Sequence, residues 1–191
     1  MLAAFANPVF DSQRTFRELL QAMARPAVPR ALPVLPPAPE SVAPAAMAIL
    51  LTLCDAATAL WLQQPVGNAL EHLRFHTGLR VAQTAKEADF ALITAPDAMP
   101  SLQSFAQGEL RYPDRSTSLI VQVQGFRNEA GVCVAGPGIR DQEMLHIEGL
   151  PADFWTQRAA LAESFPLGID MFFVAEQHVL ALPRTTRLLE H

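Results

Sequence analysis

Apolar positions recur at helical spacing over residues 11–25, where Phe16, Leu19, Leu20 and Met23 follow an i, i+3, i+4, i+7 pattern. Asp11 or Ser12 is placed to cap this helix, Arg14, Arg17 and Glu18 lie off its apolar face, and Pro26 ends it. Residues 26–44 carry seven prolines and almost no periodicity, which predicts an extended arm or wrapping loop. Such a segment serves either as a rigid connector or as a polyproline ligand for a partner. Residues 45–54 read as a buried helix and 59–63 as a short strand. Pro65 suits the first turn of the next helix, with Val66, Leu70 and Leu73 on its apolar face and Gly78 at its end. Further on, 89–95 reads as a buried strand, 99–107 as a short helix and 116–125 as a strand of alternating faces. Residues 126–131, with Asn128 and Gly131, are predicted to turn, and 132–135 to return as the hairpin partner. Gly136-Pro137-Gly138 turns the chain again. Pro151 starts a further helix with Asp153 in its first turn and Phe154, Arg158, Leu161 and Phe165 along its stripe. Residues 169–175 and 178–182 form a second hairpin turning at Glu176-Gln177. Helices separate the early strands and hairpins join the later ones. The pattern therefore predicts an α/β chain with a mixed sheet and helices on both faces, in one domain over residues 1–188.

Composition narrows the function classes. Half of the 191 residues are hydrophobic and 17% are charged, enough for a packed core. A net charge of −5 and sparse aromatics argue against a nucleic-acid binder, which needs clustered Lys and Arg. Residues 42–62 have the length of a membrane span, but Asp55 lies inside and Pro44 breaks the start, so a buried helix, a turn and a strand are expected. The first residues lack the basic stretch of a signal peptide, and residues 189–191 resemble the start of an expression tag. Cys54 and Cys133 lie in apolar stretches without metal or redox spacing and are read as buried free thiols, which fits the cytoplasm. Lys86 is the only lysine among 14 basic residues, so anion binding would fall to arginine, although a GC-rich genome gives the same bias.

The chemistry-bearing constellations are modest. His72 and His76 stand four apart on a predicted helix, as in zinc-binding helices, but the HExxH glutamate and a third ligand are missing. A surface or anion-site pair with Arg74 between them is the other reading. Gly136-Pro137-Gly138-Ile139-Arg140 lacks the glycine spacing of a dinucleotide or P-loop and reads as a tight turn followed by an arginine. Pro183-Arg184-Thr185-Thr186 follows the last predicted strand and suits either a phosphate or carboxylate site or an ordinary strand exit. Ser101, Ser104 and Ser116 have no nucleophile elbow around them.

Several blocks taken together resemble a known family. They are DSQRTFRELLQAMARP (11–26), LLTLCDAATALWL (50–62), LRFHTG (73–78), ADFALIT (88–94), GELRYPDRSTSLIVQV (108–123), GPGI (136–139), FPLGID (165–170) and LPRTT (182–186). In this order and spacing they resemble the PhnH family, the H subunits of the bacterial carbon–phosphorus lyase system. The resemblance implies a three-layer α/β/α sandwich with a mixed β-sheet, similar to the large domain of pyridoxal-phosphate-dependent transferases but without that cofactor. Lys86, the one residue able to form a Schiff base, lies in a polar segment just before a strand. The resemblance also implies a subunit acting with G, I and J subunits. Their system joins a phosphonate to ribose C1′ of ATP, displacing adenine and giving a ribose 1-phosphonate 5-triphosphate. Catalysis in that system is placed on other subunits, so an accessory or scaffolding role follows, with no catalytic residue assigned and a homodimer when isolated. Within the matched blocks, Arg17, Arg74, His76, Thr77, Arg184, Thr185 and Thr186 are the candidates for contact with ATP or a phosphonate; otherwise they stabilise turns or a dimer contact. The competing readings are a stand-alone enzyme with an Arg-lined nucleotide or phosphonate pocket, and metal binding at His72 and His76.

Overall fold

The computed structural model describes residues 3–39 and 42–189. In chain order the elements are α1 (Pro8–Ala24), β1 (Arg30–Ala31), α2 (Pro44–Leu53), β2 (Ala59–Leu62), α3 (Asn68–Thr77), β3 (Arg80–Val81), β4 (Phe90–Ile93), β5 (Gln107–Glu109), β6 (Tyr112–Ser116), β7 (Ser118–Gln122), β8 (Gly125–Ala135), β9 (Glu143–Glu148), α4 (Phe154–Ala162), β10 (Asp170–Ala175), β11 (His178–Leu182) and β12 (Arg187–Leu189).

The main sheet has seven strands in the order β1-β11-β10-β7-β4-β2-β3. Strands β10, β7, β4, β2 and β3 run parallel, while β11 is antiparallel to β10 and β1 antiparallel to β11. Starting at β2, the chain steps to β3 on one side, then crosses back to β4 and on through β7 to β10. Right-handed crossovers put the connections of these two directions on opposite faces. Accordingly α3 packs on one face, and α4 with the segment around Leu102 and Phe105 packs on the other. The later connections all use that second face, so the first lies open over β7, β10 and β11. Helices α1 and α2 fill it. Residues 45–50 of α2 are wholly buried, as an uncharged helix between a sheet and other helices must be. Strand side chains alternate between the two cores: Leu92, Ile120 and Phe172 face α1–α3, whereas Ile93, Val121 and Phe173 face α4. The Phe154 ring meets Phe173 edge-on at 5.8 Å in the second core.

Several expectations hold and several are corrected. The mixed α/β sheet, the second hairpin with its turn at Glu176, and the run of buried helix, turn and strand over 42–62 are all present. No described helix is long and apolar enough to cross a membrane. Both cysteines are free and buried. The proline-rich stretch wraps onto the body: it adds β1 to the sheet edge, and Ala27, Leu32 and Val42 are buried.

Helix α1 starts at Pro8, ahead of the expected Asp11. Asn7 caps it with its side-chain oxygen, and the Asp11 carboxylate accepts from the Asn7 backbone N–H at 2.8 Å, so Asp11 closes the cap from inside. Its buried face is Asp11, Thr15, Leu19 and Ala22, which turns Phe16 and Leu20 outward. Pro65 precedes α3, whose buried face is Ala69, His72 and Leu73. Gly78 ends that helix in the left-handed conformation. The expected helix over 99–107 is a single tight turn at Leu102–Ser104 leading into β5. Phe165 lies beyond the end of α4 and is exposed.

The expected hairpin of 116–125 with 132–135 is replaced. Strand β8 runs unbroken through 126–131, with a register shift between Arg127 and Val132, and pairs with β9 and β12 in a separate three-stranded sheet. Asn128 and Gly131 thus mark a bulge rather than a turn. Strand β9 has no counterpart in the sequence prediction. Leu189 pairs with Cys133 in β8, while Glu190 and His191 of the suspected tag lie outside the described residues.

Candidate functional site

Strand β11 runs antiparallel to β10, so its exit returns to the amino edge of the parallel strands, beside Asp170 where β10 begins. There Arg184 is held on every side. Its Nη2 donates to Asp170 Oδ2 and Ser116 Oγ, both at 2.6 Å, and its Nη1 to the Pro113 carbonyl at 2.6 Å and the Pro166 carbonyl at 3.4 Å. Its Nε lies 3.2 Å from Asp170 Oδ2, and its backbone N–H donates to Asp170 Oδ1 at 2.7 Å. The guanidinium fork is therefore satisfied inside the chain.

A second guanidinium lies below. Arg158 of α4 is 2% exposed and donates through Nη2 to the carbonyls of Pro183 and Thr186, at 2.6 and 3.1 Å. Its Nε and the Thr186 hydroxyl are buried without a partner among the described residues. Burial pushes the Arg158 pKa down to about 10; Asp170 acts against that shift and Arg184 adds to it. One carboxylate thus serves two arginines, which leaves the cluster with excess positive charge.

A cavity of about 370 Å³ opens beside it, lined by Pro137, Ala162, Phe165, Arg184, Thr185 and Arg187. Arg187 is exposed and makes no ion pair with a described residue. The loop at Gly136–Gly138 closes the neighbouring side: Gly138 has φ +87°, and a Cβ there would overlap the Ala24 carbonyl oxygen at the end of α1.

The other sequence candidates sit elsewhere. Arg17 is on the outer face of α1. Arg74 and His76 are exposed on α3, and Thr77 caps that helix by donating to the Leu73 carbonyl at 2.8 Å and accepting from the Leu79 N–H at 3.1 Å. His72 is 3% exposed, its ring is 4.6 Å from that of His76, and neither of its nitrogens has a partner among the described residues. Burial and then His76 lower its pKa. No group of three His, Cys, Asp or Glu side chains suited to a metal occurs among the described residues. Arg184 and Thr185 line the cavity and Thr186 is buried, and no hydrogen bond or ion pair links them to Arg17 or to the α3 group. Asp170, Ser116, Arg158 and Arg187 escaped the sequence reading as site residues. Arg158 carried a signal, because a charge on the apolar stripe of a helix must find buried partners.

The opposite edge is bridged at its switch point but keeps a cavity beside it. In open α/β sheets ligands enter at the carboxyl ends where the connections change direction, here between β2 and β4. The Gln63 side-chain amide bridges that point, accepting from the N–H groups of Thr94 and Ala95 at 3.0 and 2.8 Å and donating to the Ala95 carbonyl at 2.7 Å. The adjoining cavity of about 420 Å³ has Asp97 as the only charged lining residue among those described, which does not suit an anion.

Comparison with known proteins identifies the chain's relatives. A family model described as "Bacterial phosphonate metabolism protein (PhnH)" matches residues 3–189. The chain belongs to the PhnH family. It is 39% identical over 187 residues to a Rhizobium meliloti (strain 1021) protein named alpha-D-ribose 1-methylphosphonate 5-triphosphate synthase subunit PhnH, covering 97% of this chain and 94% of that one. It is 30% identical over 179 residues to the putative C-P lyase subunit protein HtxG of Stutzerimonas stutzeri, covering 92% and 85% of the two chains. Four of the blocks that carried the resemblance meet at one place in the chain. Pro113 and Ser116, Pro166 and Asp170, and Arg184 itself come from three of them, and the Gly136–Gly138 turn comes from the fourth.

Proposed function

We propose that this chain is the H-type subunit of a carbon–phosphorus lyase assembly, working with G, I and J subunits. Its step forms ribose 1-(methyl)phosphonate 5-triphosphate from ATP and a phosphonate. The observation that carries this reading is the likeness to the Rhizobium meliloti synthase subunit over 97% of the chain. In the transferase step, a phosphonate oxygen bonds to ribose C1′, the C1′–N bond to adenine breaks, and adenine leaves with the bonding pair and takes up a proton.

The part we assign to this chain is accessory or scaffolding, inactive alone. In support, the Arg184 fork is spent on Asp170, Ser116 and the Pro113 carbonyl. Its network binds three distant stretches of chain into one rigid edge. Direct contact with ATP or a phosphonate, if the subunit makes one, is assigned to the cavity beside Thr185 and Arg187. The reading takes the fold as a three-layer α/β/α sandwich akin to the large domain of pyridoxal-phosphate-dependent transferases, working without that cofactor. Lys86, the only lysine, is exposed ahead of β4. It also takes the isolated chain as a cytoplasmic homodimer.

The test is adenine release from ATP and methylphosphonate by the other subunits, with and without this chain. We expect release to require this chain and the chain alone to release none. Full-rate release without it, or release by it alone, contradicts the reading.

A further inference from the structure

Helix α1 holds four large apolar side chains in solvent: Val9 is 75% exposed, Phe10 61%, Phe16 45% and Leu20 53%. At 3.6 residues per turn, Val9, Phe16 and Leu20 fall within a strip about 40° wide along the helix. By the same rule Arg17 and Arg14 stand about 80° and 140° round the helix from Val9, and Arg25 follows at the C-cap; all three are exposed, and their side chains make no hydrogen bond or ion pair with a described residue. The acidic residues of α1 are already committed: Asp11 accepts from Asn7 at the cap, and Glu18 pairs with Arg30 at 2.7 Å. A chain of net charge −5 therefore sets unpaired positive charge beside an apolar stripe on one helix face. Contiguous exposed apolar surface with a charged border marks a docking site.

We propose that this face of α1 docks an amphipathic helix of a different polypeptide, whose apolar stripe is bordered by Asp or Glu. Charge complementarity selects that occupant. In an antiparallel α1–α1 contact between two copies, the two-fold axis puts both arginine rows on the same side, where they repel. A partner helix with an acidic border meets the stripe and neutralises the arginines together, in the helix-to-face mode of apolar anchors three and four residues apart. The inference rests on the subunit reading for the partner's presence, and the surface itself is tested separately.

Two helical peptides of about 18 residues share one leucine stripe, bordered in one by Glu and in the other by Lys. Titrated against the full chain by fluorescence anisotropy, the Glu peptide is expected to bind about ten-fold tighter or better, and to weaken as salt rises. Phe16→Asp with Leu20→Asp is expected to abolish binding, and Arg14→Glu with Arg17→Glu to remove the preference between peptides. All four side chains are exposed, and an unchanged melting temperature shows that the variants fold. Equal binding of the two peptides, or wild-type binding by the Phe16/Leu20 variant, overturns the proposal. The Phe16/Leu20 variant is also expected to fail to join the other subunits. If it joins as well as wild type, the docking face is wrong and the subunit reading stands. If the wild-type chain itself fails to join, the subunit reading falls while the peptides still decide the surface. If the variant instead converts a homodimer of the chain to monomer, a second copy is the occupant and the proposal falls.

Discussion

Arg184 shows how a residue picked out for ligand chemistry can be spent on structure. An arginine and two hydroxyl residues after a strand suit an oxyanion. The side-chain donors of Arg184 end instead on Asp170, Ser116 and two backbone carbonyls, with the ion pair only 15% and 18% exposed. Removing one partner of such a pair leaves an uncompensated charge, so Asp170→Asn or Arg184→Ala should cost about 3 kcal/mol in urea denaturation. Arg184→Lys should recover little of that loss, because an ammonium cannot reproduce the fork. A loss below about 0.5 kcal/mol, the size of an ordinary surface change, would show that the cluster does not brace the edge. His72 carries a different signature. Burial and His76 hold its pKa below the ordinary 6.5, so between the two values the unfolded chain binds a proton that the folded chain does not. Stability is therefore full above pH 6.5 and declines as pH falls below it. His72→Phe should flatten that acid limb in melting temperatures measured from pH 7 to about pH 5. An acid limb unchanged in the variant would assign the dependence to other groups.

Elements meet through close approaches as well as through side chains. The turn at Gly136–Gly138 lies against the last carbonyl of α1, where any Cβ would collide and the backbone sits at φ +87°. Gly138→Ala should therefore destabilise the chain by about 2 kcal/mol or more in thermal or urea unfolding. An effect within about 0.5 kcal/mol would mean that α1 shifts freely. The elements legible in the sequence are those whose partners are near in the chain. The β10–β11 hairpin and the α2–β2 run follow from local periodicity and an adjacent turn. Strand β8 was lost because Asn128 and Gly131 carry turn chemistry, whereas pairing with β9 and β12 keeps that stretch extended with a bulge. The face of α1 was misplaced by about one position because polar Asp11 and Thr15 turn inward. Half of the edge cluster was legible as PRTT. The rest was not, because Ser116 and Pro113 lie 68 and 71 residues before Arg184 and only the sheet brings them together.

At the scale of the whole molecule, the sheet order, the two closed cores and the outward face of α1 point the same way. The carboxyl-edge crevice that doubly wound sheets use for ligands is bridged by Gln63, and the arginine-rich amino edge is braced internally. Among the surfaces open to other molecules are a cavity beside Arg187 and an apolar helix face with arginines near it. Such a surface suits a chain that works by contact with other chains. The most direct test of the subunit claim is to recover the tagged chain from its host, grown on methylphosphonate as the sole phosphorus source. Native mass spectrometry then identifies what accompanies it. The account predicts one assembly of defined stoichiometry containing several other chains. Recovery of nothing beyond a homodimer, at low salt and after mild crosslinking, would contradict it.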